Sequence, residues 1–203
     1  GNTTTGIIRR QSPIAGWDPG NYMAYYNLGG SEAWGAPASS NPCPYLNIYV
    51  CNLNSSVIGV SSVGIIAVDY AYFGTVGALG SNYNKGRVAT HEVGHWLNLA
   101  HLWGSTNSPG TGSCNTDNVS DTPTTGGVAG GCPLTQSTCG SLDNVQNYMD
   151  YALSCQSMFT LGQSTRMRNA ATSSVGGRNN LWTTANLNAT GANGNMTLCN
   201  TDF

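Results

Sequence analysis

His91-Glu92-Val93-Gly94-His95-Trp96-Leu97-Asn98-Leu99-Ala100-His101 contains all three histidines of the chain and one of its two glutamates. On a helix, His91 and His95 lie one turn apart on the same face. Two imidazoles placed that way can grip one Zn2+ at about 2.0–2.1 Å each. His101 follows His95 by six residues, out of phase with a continuous helix. The chain must turn between them, and Asn98 is where it can. Asparagine is second only to glycine in accepting the left-handed conformation that ends a helix. The spacing predicts a helix over about 84–98, a turn at Asn98 and three imidazoles converging on one point.

Glu92 follows the first histidine directly. From there its carboxylate reaches a water on the metal without being a ligand, as a general base must in the H-E-x-x-H pattern. Three neutral nitrogens leave a fourth position open, which marks a catalytic rather than a structural site. Other readings compete. A helix with buried, hydrogen-bonded histidines needs no metal, but it does not explain why all the histidine falls at ligand spacing. A site completed by a downstream glutamate fails, since no glutamate follows Glu92. One completed by Asp117 or Asp121 leaves His101 idle. A degenerate binding module that only holds zinc has no use for Glu92.

Downstream lies Asn147-Tyr148-Met149-Asp150-Tyr151. With it, the histidine motif resembles the metzincin proteases, whose pattern has glycine where Asn98 stands and is followed by a Met-turn. Within that clan, H-E-V-G-H-W-L-x-L-x-H and N-Y-M-D-Y look like the pappalysin family. Tyr45-Leu46-Asn47-Ile48-Tyr49-Val50 and Met158-Phe159-Thr160-Leu161-Gly162-Gln163 resemble that family's flanking segments. The similarity runs from about residue 29 to residue 168.

The resemblance implies an α+β metzincin-type catalytic domain over 1–203. A twisted mixed sheet and the zinc helix would form an upper lobe to about 98. Loops and a C-terminal helix would form a lower lobe from about 99, with substrate in the cleft between. It implies a zinc endopeptidase acting on proteins or peptides, with Glu92 as general base and a pro-segment in the zymogen. Met149 would floor the metal site without being a ligand. Tyr151 would sit near the metal and donate to the developing oxyanion, although a tyrosine packed in the core is also consistent with its position. The resemblance further implies bridges Cys114–Cys139 and Cys132–Cys155. Asp117, Asp121 and Thr122 offer closely spaced hard oxygens on a loop, which suit Ca2+, and the resemblance places calcium near here. Loop aspartates without any ion are the competing reading.

Composition sets the compartment. Seven cysteines without a C-x-x-C pair point to disulfides in an oxidising environment, hence a secreted protein. The chain starts at Gly1, which reads as a mature form freed of its targeting and pro-segments. Only 8% of residues are charged, the net charge is −2, and Lys85 is the one lysine. A nucleic-acid partner is therefore not expected, and no apolar run approaches the length of a membrane span. A monomer is expected. Cys43, Cys51 and Cys199 receive no partner from the sequence.

Outward from the motif, Ile7-Ile8 reads as a short strand. Residues 46–53 alternate apolar and polar and read as a strand, and 63–72 as a buried one. Residues 73–83 are glycine-rich, and the resemblance puts the substrate-binding edge strand there. Ser81 or Asn84 could cap the zinc helix. Residues 104–145 lack periodicity, which at that length implies function or cross-linking. A helix is expected over about 160–172. After Tyr151 come Ala152-Leu153-Ser154, with no carboxylate to pair with a cation. The pocket beyond the scissile bond is therefore expected not to require a basic side chain.

Overall fold

Ile65-Ile66-Ala67-Val68-Asp69 forms strand β3, and all five residues are buried. The run is apolar without alternation because both of its faces are covered. Ile65 and Ala67 pack with Trp17 and Leu53 on one side. Ile66 and Val68 pack with Val88 and Trp96 on the other. A computed structural model gives this architecture for residues 11, 15–19, 45–54, 56–77, 79–80, 85–106, 108–110, 114–152, 154–190 and 192. The Ile7-Ile8 expectation, Cys43 and Cys199 lie outside the described residues.

β3 is the centre of a three-stranded mixed sheet, ordered β1-β3-β2. β1 (Ile48–Cys51) pairs with it in parallel, Ile48 opposite Ile66. β2 (Gly59–Ser62) pairs antiparallel, Gly59 opposite Val68 and Ser62 opposite Ile65. Residues 63–64 make the tight turn joining β2 to β3. This corrects the placement of the antiparallel edge strand. Among described residues, 73–77 and 79–80 contain no strand, and the edge belongs to β2, one hairpin earlier. Gly-Val-Ser-Ser carries weak strand propensity, and ladder pairing to β3 overrides it. Asp69 closes the strand: its carboxylate accepts from Leu53 N at 2.8 Å and Ala71 N at 2.9 Å.

Helix α1 spans Arg87–Trp96, shorter than expected at its start. Its N-cap is Gly86 in the left-handed region (φ 67°), with no side-chain cap. Ser81 and Asn84 lie outside the described residues. Val88 and Trp96 press α1 onto Ile66 and Val68. Its other face is thereby left to the cleft. The segment after α1 stays irregular to residue 160, broken only by isolated bridges. Two disulfides hold it, Cys114–Cys139 and Cys132–Cys155. Cys51 is free.

Helix α2 spans Leu161–Ala171 behind a full capping box, in which Thr160 and Gln163 satisfy each other's backbone N–H. The polar tail then makes a 3-10 stretch, Val175–Trp182, kinked at Gly176 and Gly177, and a short helix α3, Thr184–Ala189. Among described residues, no helix is long and apolar enough to cross a membrane.

Candidate active site

Helix α1 ends at Asn98, whose φ is 69°. Asn98 N donates to His95 O at 2.8 Å and Leu99 N to Gly94 O at 3.0 Å. These are the two reverse bonds of a Schellman stop. The same turn brings Leu99 O within 2.8 Å of His95 Nδ1. One local motif therefore ends the helix, orients its second histidine and redirects the chain to His101.

Each imidazole is held in the same way. His91 Nδ1 donates to Tyr148 O at 2.7 Å, and His101 Nδ1 to Thr106 O at 2.9 Å. Because all three Nδ1 partners are carbonyl oxygens, each ring carries its proton on Nδ1. All three Nε2 lone pairs then face one another, at 3.0, 3.1 and 3.2 Å. No hydrogen bond can relieve that approach. Three nitrogens at about 2.05 Å from one tetrahedral Zn2+ stand about 3.3 Å apart, so the donor set fits such an ion. Backbone carbonyls on the far ring nitrogens are also the usual outer support of metal-bound histidine. Burial first, and then the other histidines, hold His91 well below the ordinary imidazole range. His95 is lowered by burial, and His101 is brought down to about 4 by burial and His95. Neutral rings are what a cation requires.

Met149 is fully buried with Leu99, Leu102 and Trp103. Its backbone N donates to Asn147 Oδ1 at 2.9 Å. Asn147 in turn makes a buried amide pair with Gln163 of α2: Asn147 Nδ2 donates to Gln163 Oε1 at 2.7 Å and Gln163 Nε2 to Asn147 Oδ1 at 3.2 Å. The turn beneath the histidines is thus bolted to the start of α2. Asp150 Oδ1 accepts from Val128 N at 3.1 Å and from Tyr151 N. Burial, opposed by these bonds, pushes Asp150 up to about 7.

Tyr151 stands over the histidines, its ring centroid 4.9 Å from His101 and 5.6 Å from His91. Burial and the nearby Glu92 push its phenol up to about 12, so it remains a donor. Sequence reasoning missed Trp103. Its ring stacks on His101 at 4.7 Å with a 4° interplanar angle, and its Nε1 donates to the same Thr106 O that holds His101. Only its spacing of two from the third histidine could have hinted at this.

Glu92 is 5% exposed, and burial pushes its carboxyl up to about 8. It lines an open cleft of about 1060 Å³ together with the three histidines, Tyr151, Gln156 and β2. Asp117, Asp121 and Thr122 lie elsewhere. Buried Asp117 takes Thr122 Oγ1 and Val119 N (3.1 Å) on Oδ1. Its Oδ2 is buried without a partner. Asp121 caps α2: its carboxylate accepts from Gly162 N and Thr160 Oγ1, each at 2.8 Å. Those bonds hold its carboxyl below the usual range.

The family model described as Pregnancy-associated plasma protein-A matches residues 36–172. An extracellular metalloprotease of Arthroderma otae is 40% identical over 140 residues, covering 62% of this chain and 50% of its own length. One from Podospora anserina is 40% identical over 124 residues, covering 58% and 36%. The chain therefore spans half or less of the length of these curated relatives. Among solved structures, mature mirolysin of Tannerella forsythia with a cleaved peptide superposes with a TM-score of 0.71 at 36% identity, over 89% of this chain and 70% of that one. A promirolysin mutant of the same organism gives 0.71 at 34% identity, over 89% and 62%. On its motif, its site and these likenesses, the chain belongs to the pappalysin family of metzincin metalloproteases.

Proposed function

We propose that this chain is the catalytic domain of a secreted zinc endopeptidase. The observation that carries the proposal is the convergence of three unprotonated Nε2 atoms beside buried Glu92 in an open cleft. His91, His95 and His101 would hold the zinc, which when bound supplies a Lewis acid and acidifies water. Glu92 takes the proton of the attacking water and passes it to the leaving nitrogen. Tyr151, kept protonated by burial, donates to the oxyanion. Edge strand β2 lines the cleft and gives an extended peptide a strand to pair with.

The relatives' names support the extracellular reading. The mirolysin complex supports peptide substrates, and promirolysin supports a pro-segment. The domain would act as a monomer, with an upper lobe to about 98 and a lower lobe from about 99. Separate clusters support that division, one around β3 and α1 and another around Met149. A calcium ion at Asp117 is the finer part of the proposal, supported by its unpartnered buried oxygen.

Elemental analysis together with hydrolysis of a quenched casein-type substrate tests the reading. The expected result is one zinc per chain, with activity lost to a chelator and restored by zinc. Active protein without a stoichiometric transition metal would overturn it.

A further inference from the structure

The carboxylate of Glu92 is buried, yet no side chain or backbone donor among the described residues holds it. What confines it is Gly59. A Cβ built on Gly59 would stand 2.6 Å from Glu92 Oε1, 2.9 Å from its Cγ and 3.0 Å from its Cδ. Gly59 has no conformational need to be glycine. It sits in regular strand β2 opposite Val68, outside the left-handed region. Glycine inside a strand weakens it and is found where another group approaches closely. Here that group is the carboxylate.

The slot cannot widen easily. β2 is fixed to β3 by its ladder, and β3 is fixed to α1 by Ile66, Val68, Val88 and Trp96. A methyl group at 59 would therefore displace the side chain of Glu92 rather than the strand. Restoring ordinary contact, about 3.5 Å between heavy atoms, needs a shift of nearly 1 Å. A displacement on that scale can cost on the order of 10²-fold in rate.

We infer that Gly59 is a positioning residue for the base: its missing side chain is the slot that sets where Glu92 stands in the cleft. This rests on the endopeptidase reading above, but the contact can be tested without it. Gly59→Ala should retain full zinc content and near-normal KM for a peptide substrate, while kcat falls on the order of 10²-fold. In thermal unfolding of the zinc-loaded proteins, Gly59→Ala should lower the midpoint in the Glu92 background. It should lower it little or not at all in the Glu92→Ala background, where the clash is absent. Equal losses in both backgrounds would show that Gly59 serves the strand and not the base, and would overturn the inference, as would an unchanged kcat. If wild type hydrolyses no peptide, the functional reading fails, while the unfolding cycle still decides the contact. Should Gly59→Ala not fold alone, recovery of folding in Gly59→Ala/Glu92→Ala supports the slot, and failure of both overturns it.

Discussion

Met149 Sδ occupies the space that a side chain at position 94 would need. A Cβ on Gly94 would lie 2.5 Å from that sulfur and 3.5 Å from Phe159 Cε1. The glycine inside the histidine motif is thus what lets the Met-turn rise against α1. Gly94→Ala should destabilise by about 1–3 kcal/mol, the usual cost of overpacking, despite the better helix propensity of alanine. Chemical unfolding checks this, and unchanged stability would show that the sulfur has another rotamer to occupy.

Glu92 and Tyr151 should part company on substitution. Glu92→Ala removes the base and no ligand, so zinc and fold should remain while turnover falls by about 10²–10⁴-fold. Tyr151→Phe should keep KM and lower kcat on the order of 10²-fold if the phenol donates to the oxyanion. Unchanged kinetics would make Tyr151 a packing partner of His101 and Trp103.

The metal-free protein should have a stability maximum near pH 6.5. His101 titrates at about 4 when folded against 6.5 ordinarily, and His91 and His95 are lowered too. The unfolded chain then binds more protons below 6.5, so stability falls as pH drops from about 6.5 to about 4. Glu92 and Asp150 have the opposite sign, raised to about 8 and about 7. The folded state binds their protons more tightly, so stability also falls as pH rises towards 8. Below 6.5 the three rings outweigh the two carboxyls. Denaturant midpoints that stay flat from pH 4 to 8 would contradict this. The loaded protein should release zinc in the acid half of the same window.

Calcium should raise the melting temperature if an ion seats at Asp117, whose Oδ2 is buried and unpartnered. Melting curves with zinc saturated and calcium varied decide it. Indifference to calcium would leave Asp117 as the acceptor for Val119 and Thr122, and Asp121 as the cap of α2.

Peptide-library profiling should show uncharged residues accepted after the scissile bond. Among the residues lining the cleft, Glu92 is the one carboxylate. Asp143 is taken by Gln136 and Thr138, and Asp150 Oδ1 by the turn. A profile dominated by Arg or Lys would instead assign the unpartnered Asp150 Oδ2 as the cation's partner.

What the sequence determined by itself is local. A four-residue spacing on a helix puts His91 and His95 on one face, and a six-residue spacing with Asn98 between forces the turn that delivers His101. Those follow from helix pitch and one residue's tolerance of positive φ. The start of α2 was legible too, because Thr160 and Gln163 cap it within their own segment. What only the tertiary structure decided depends on residues far apart in sequence. Gly59–Ser62 became the edge strand through pairing with β3, not through propensity, so the rim of the cleft was misplaced at 73–83. Trp103 joined the site by stacking on His101, and Asp121 became a helix cap by reaching Gly162, 41 residues on. The slot at Gly59 and the sulfur under Gly94 exist only because strand, helix and turn are packed close enough for a missing Cβ to matter. Spacing along a chain carries no information about such distances.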